Sequence, residues 1–96
     1  MMSGEWVRLH ELIAGMDRAD PDKGRRVHRT LLELRGSHPL SEEVIILYES
    51  YRHFERLLVT QPGTEFPAER KVCLDALEAA RQAMVKEWVS YSVSAD

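Results

Sequence analysis

Residues 68–91 read AERKVCLDALEAARQAMVKEWVSY, a stretch with no Gly or Pro. Cys73, Leu77, Ala80, Met84, Trp88 and Tyr91 recur at three and four residues, one continuous stripe along an α-helix. Val72, Ala76, Ala79 and Ala83 form a second stripe beside it. Together the two cover more of the circumference than a helix resting on one core surface needs. Such a helix is either central in its bundle or shared with another chain. Roughly 24 residues at 1.5 Å per residue give it a length of about 36 Å. The predicted span is 65–91, with Thr64 and Pro67 marking its start.

Three shorter helices precede it, and no strand pattern is present. The first is predicted over 3–16, with Ser3 as N-cap and Trp6, Leu9, Leu12, Ile13 and Met16 on one face. The pair Asp20-Pro21 starts the second, predicted over 21–35: proline suits a first helical turn, and the aspartate accepts from free N–H groups. Its apolar stripe of Val27, Leu31 and Leu34 is narrow, and Gly36 is expected to close it in the left-handed conformation. Ser41 caps a third helix over 42–59, with Glu42 and Glu43 at its positive end. There Val44, Leu47, Tyr48, Tyr51, Phe54 and Leu58 make the main face, while Ile46, Ser50, His53 and Leu57 make a second. Short connections favour antiparallel neighbours. The expected fold is therefore all-α: one domain over 1–96, a four-helix up-down-up-down antiparallel bundle whose third and fourth helices form the core pair.

Composition narrows the function classes. The chain has 96 residues, a net charge of −3 and one cysteine, so an internal disulfide and a cysteine-rich metal knuckle are excluded. No run approaches the roughly 20 apolar residues of a membrane span. The opening Met1-Met2-Ser3-Gly4-Glu5 does not read as a secretory signal, and a reducing, cytoplasmic setting is the expectation. Residues 21–40 carry five Lys/Arg against two acids, whereas the rest is net acidic.

Reaction chemistry is not legible: there is no phosphate loop, nucleophile elbow or His-Glu-x-x-His. Cys73 lies on an apolar stripe, where a thiol acts as a small hydrophobe. Glu49 and His53 lack the spacing and the second copy that a di-metal bundle needs. No catalytic, cofactor or metal residue is therefore expected. An enzyme would need a polar pocket inside the bundle lined by Glu49, His53 or Tyr51.

The features that stand out are surfaces for contact. Trp88, Val89, Tyr91 and Val93, at the end of the long helix, are expected to bind a partner, because exposed aromatics anchor interfaces. Ile46 and Leu57 on the second face of helix three join them. The Ala76, Ala79, Ala83 stripe is expected to serve close packing inside the bundle ahead of a dimer seam. The expected function is a small helical protein–protein interaction module: an accessory subunit, inhibitor, regulator or chaperone-like adaptor. Its partner would be another protein, with a second copy of itself as one option. The alternative is a nucleic-acid-associated regulator using Arg25, Arg26 and Arg29 for anion contact. Net acidity and the absence of interleaved aromatics weigh against it. Those arginines are expected to pair with Asp22, Glu33 and neighbouring acids.

Overall fold

The computed structural model describes residues 3–94, with side chains described from residue 4 to residue 85. It is all-α: α1 (Ser3–Ala14), α2 (Pro21–Ser37), α3 (Glu42–Thr60) and α4 (Pro67–Ser94), with no strand among the described residues. None of these helices is long and apolar enough to cross a membrane.

Helix ends follow local chemistry. α1 includes Ser3 and stops at Ala14, two residues before the expected end. The Gly15 N–H still reaches the Glu11 carbonyl at 3.0 Å, but the Met16 N–H turns tighter, onto Ile13, at 3.1 Å. That last turn keeps Met16 buried although it lies outside the helix. At the start of α2, the N–H groups of Asp22 and Lys23 both donate to Asp20 Oδ1 at 3.1 Å. Asp20→Ala is expected to cost about 1 kcal/mol, lowering the thermal midpoint by about 4–8 °C. A circular-dichroism melt unchanged from wild type would show that water replaces the cap at no cost.

The expectation for Gly36 is corrected. The helix runs through it to Ser37, and Gly63 is the described residue with a positive φ (84°). Proline, not glycine, ends α2. His38 precedes Pro39 and is driven out of the helical region to φ −132°, ψ 64°. Its N–H still caps the Leu34 carbonyl at 3.0 Å. α3 ends the same way, at Gln61 before Pro62, with φ −127° and ψ 69°. Pro62 and Gly63 then form a tight turn closed by Thr64 N–H donating to the Gln61 carbonyl at 3.2 Å. Pro and positive-φ Gly in succession suit a type II turn. α4 starts at Pro67, later than expected, because proline takes the first helical position.

The helices pack as a ring. α3 lies on α4, α4 on α1, α1 on α2 and α2 on α3, with the α3–α4 seam the most extensive. The centre is filled by Leu9, Ile13, Val27, Leu31, Leu47, Tyr51, Phe54 and Cys73, all essentially inaccessible to solvent. Gly24 lets α2 approach α3 closely: a Cβ there would lie 3.0 Å from Glu55 Oε2 and 3.5 Å from Tyr51 Oη. No buried side-chain nitrogen or oxygen among the described residues lacks a hydrogen-bond partner.

Candidate functional site

The described surface is most informative along the outer side of the α3–α4 seam. On α3, Val44, Leu47, Tyr51, Phe54 and Leu58 face the core. Tyr48 and Glu55 lie on the flank toward α2, beside His28 and Gly24. Ile46, Ser50, His53 and Leu57 occupy the opposite flank by helical register, beside α4. Ile46 is 50% exposed and His53 is exposed, while Ser50 and Leu57 are half-buried.

α4 is arranged the same way. Cys73, Leu77 and Ala80 face the core, and Leu77, Glu78, Arg81 and Val85 border a groove shared with α1. The stripe of Val72, Ala76, Ala79 and Ala83 is turned to the other flank, beside α3. Of these, only Ala76 is buried; Val72 is 57% exposed, Ala79 is exposed and Ala83 half-buried. Of Ala76, Ala79 and Ala83, expected to pack inside the bundle, Ala76 does so, Ala83 is half-buried and Ala79 is open to solvent. The neighbours of α4 are α1 on one flank and α3 on the other, and α3 covers Ala76 while leaving Val72 and Ala79 open. The α3 strip and the α4 stripe flank one seam and form a continuous, largely apolar face.

Charges rim that face. Glu49 and Arg56 are exposed on the far edge of α3 and form no ion pair among the described residues. On the α4 side, Lys71 meets Asp75 at 3.5 Å with both groups open to solvent, a pair that contributes little to stability.

The α1–α4 groove is a second concavity, about 540 Å³, lined by Trp6, Val7, His10, Leu77, Arg81 and Val85 among others. At its edge Arg81 donates to Glu78 twice, at 2.9 and 2.6 Å, and Gln82 donates at 3.1 Å. The Arg81 hydrogen bonds, with Gln82 behind them, hold the Glu78 carboxyl down to about 2.

The basic residues are placed differently from expectation. Arg25, Arg26 and Arg29 are exposed, yet none forms a salt bridge to Asp22, Glu33 or any other described acid. Arg29 and Glu33 have i,i+4 spacing, but with the arginine N-terminal, the weaker order on a helix. Arg35 instead stacks over the Tyr48 ring at 4.8 Å, with Arg52 at 5.8 Å from the same ring. Sequence reasoning missed this cluster; Tyr48 and Arg52 at i,i+4 were the available signal.

The residues required for chemistry are not brought together. Glu49 and His53 are exposed, while Tyr51 is buried with its hydroxyl donating to Glu55 Oε2 at 2.9 Å. No group of three metal-ligating side chains occurs among the described residues. The side chains of Trp88, Val89, Tyr91 and Val93 lie outside the described residues. No protein-family model, curated protein or solved structure matches the chain.

Proposed function

We propose that this chain is a small protein–protein interaction module, an accessory subunit, regulator or adaptor that acts by burying apolar helix faces against a partner. The observation that carries the reading is the open face made by Ile46, Leu57, Val72, Ala79 and Ala83 across one seam. Contiguous apolar surface rimmed by charge is what a docking site needs, whereas scattered exposed hydrophobes are ordinary. A reducing, cytoplasmic setting suits a chain with a single, buried cysteine.

We read the ring of helices as an up-down-up-down antiparallel bundle. Arg70, early in α4, donates to the Met16 carbonyl just past α1 at 3.4 Å, while Trp6, early in α1, lines a groove with Leu77, Arg81 and Val85 further along α4. Gly24 near the start of α2 meets Glu55 near the end of α3, and Arg35 near the end of α2 meets Tyr48. Both pairings run in opposite directions.

Affinity capture with wild-type, Ile46→Glu and Ala79→Glu chains tests the docking reading. A partner identified by mass spectrometry is expected to be lost from both variants, with their thermal melts unchanged. Retention of the same partners by both would remove the face from consideration.

A second reading rests on the three arginines that form no ion pair among the described residues. It has the chain meet nucleic-acid phosphates through Arg25, Arg26 and Arg29, with binding to a labelled oligonucleotide that falls steeply with salt. Binding unaffected by changing all three to Ala would end it.

A further inference from the structure

We propose that the occupant of the α3–α4 face is a second copy of this chain, docked antiparallel about a twofold axis that crosses α3 near Arg52. This rests on the docking reading above and names its partner. In a twofold interface, residue i meets residue j of the second copy and j meets i, so a face used this way must complement itself. The outer flank of α3 does so in both its apolar and its charged residues.

Ile46 and Leu57 lie about 20° apart around the helix, and so do Glu49 and Arg56, at 3.6 residues per turn. An axis within half a residue of Arg52 is midway between the members of each pair. One antiparallel register therefore sets Ile46 against Leu57 of the second copy and Glu49 against Arg56 of the second copy. The axial mismatch is about 1.5 Å in each case. Ser50 and His53 share that centre, so nothing bulky and apolar is left facing a charge. Glu49 and Arg56 occupy the same edge, and a twofold across the face keeps like edges together, so their charges meet as opposites. Within the monomer both are exposed and without an ion pair among the described residues. Beside them, Ala79 and Ala83 present little bulk, which leaves room for close approach.

Sedimentation equilibrium on the full chain tests the proposal. Wild type is expected to be a reversible dimer. Glu49→Arg and Arg56→Glu, each placing like charges at both rim contacts, are expected to weaken it about tenfold or more, with thermal melts matching wild type at monomeric concentration. An equimolar mixture of the two variants is expected to associate again as a heterodimer, since every rim contact then pairs opposite charges. A wild-type chain that stays monomeric to millimolar concentration, or single variants that associate like wild type, would overturn the second-copy assignment. So would a mixture no tighter than its components. If the chain is monomeric while Ile46→Glu still loses an identified partner, this assignment fails and the docking reading stands; if no partner depends on Ile46 either, both fail.

Discussion

Phe54→Ala is expected to destabilise the fold by about 3–5 kcal/mol, the cost of emptying a fully buried aromatic site. The thermal midpoint would fall by about 4–8 °C for each kcal/mol in a domain of this size. The side chain is wholly inaccessible to solvent and sits on the core face of α3, the helix that meets both α2 and α4. At about 0.05–0.15 kcal/mol per residue, a chain of this length has roughly 5–14 kcal/mol in total. The loss is thus between about a fifth and all of it. Urea titration followed by far-ultraviolet circular dichroism measures the change. Ile46→Ala, on the same helix but half-exposed, is the internal control and is expected to cost less than about 1 kcal/mol. Equal costs at the two positions would mean that the core is not centred where the packing places it.

Most of the fold was legible because helix periodicity and proline are strong local signals. The buried sets Val44, Leu47, Tyr51, Phe54, Leu58 and Cys73, Leu77, Ala80 are the stripes that spacing alone identifies. The start of α2 was legible for a related reason: Asp20 and Pro21 act within a single turn. Errors arose where two local signals compete. Gly36 reads as a helix stop, but Pro39 dictates the conformation of His38, and glycine can remain helical until that boundary. In α1, Gly15 and the tight turn at Met16 shorten the helix without moving Met16 out of the core.

The candidate face was only half legible, for a different reason. Periodicity says which side chains share a side of one helix; it does not say which helix covers them. The Val72, Ala76, Ala79, Ala83 stripe is equally compatible with burial or exposure until the ring order is known. With α1 on one flank of α4 and α3 on the other, Ala76 is covered and Ala79 is open. The same ring order sets the Ile46 strip beside that stripe, a juxtaposition of residues some thirty positions apart that no local pattern encodes. The arginines of α2 show the converse: their exposure was legible, but that none pairs with an acid among the described residues depends on side-chain order and geometry.

Alkaline pH is expected to destabilise the protein steeply. Burial pushes the Cys73 thiol up to about 12 from its ordinary 9. Tyr51 is raised as well, first by burial and then by the charge and hydrogen bond of Glu55. The unfolded chain releases the thiol proton near pH 9, whereas the folded chain holds it until about pH 12. Stability is therefore fully present below pH 9 and is lost as pH rises through that window. At about 1.4 kcal/mol for each pH unit separating the two states, the thiol alone gives up about 4 kcal/mol by pH 12. The Tyr51 hydroxyl adds to this above its ordinary value of 10. Urea midpoints measured from pH 7 to 11 should fall from about pH 9 in wild type. Cys73→Ala should flatten the first part of that decline and Tyr51→Phe the part above pH 10. The same burial makes the thiol slow to label at pH 8, because a disulfide reagent must wait for the helix pair to open. A midpoint constant to pH 11, or labelling as fast as in denaturant, would place Cys73 outside the closed core.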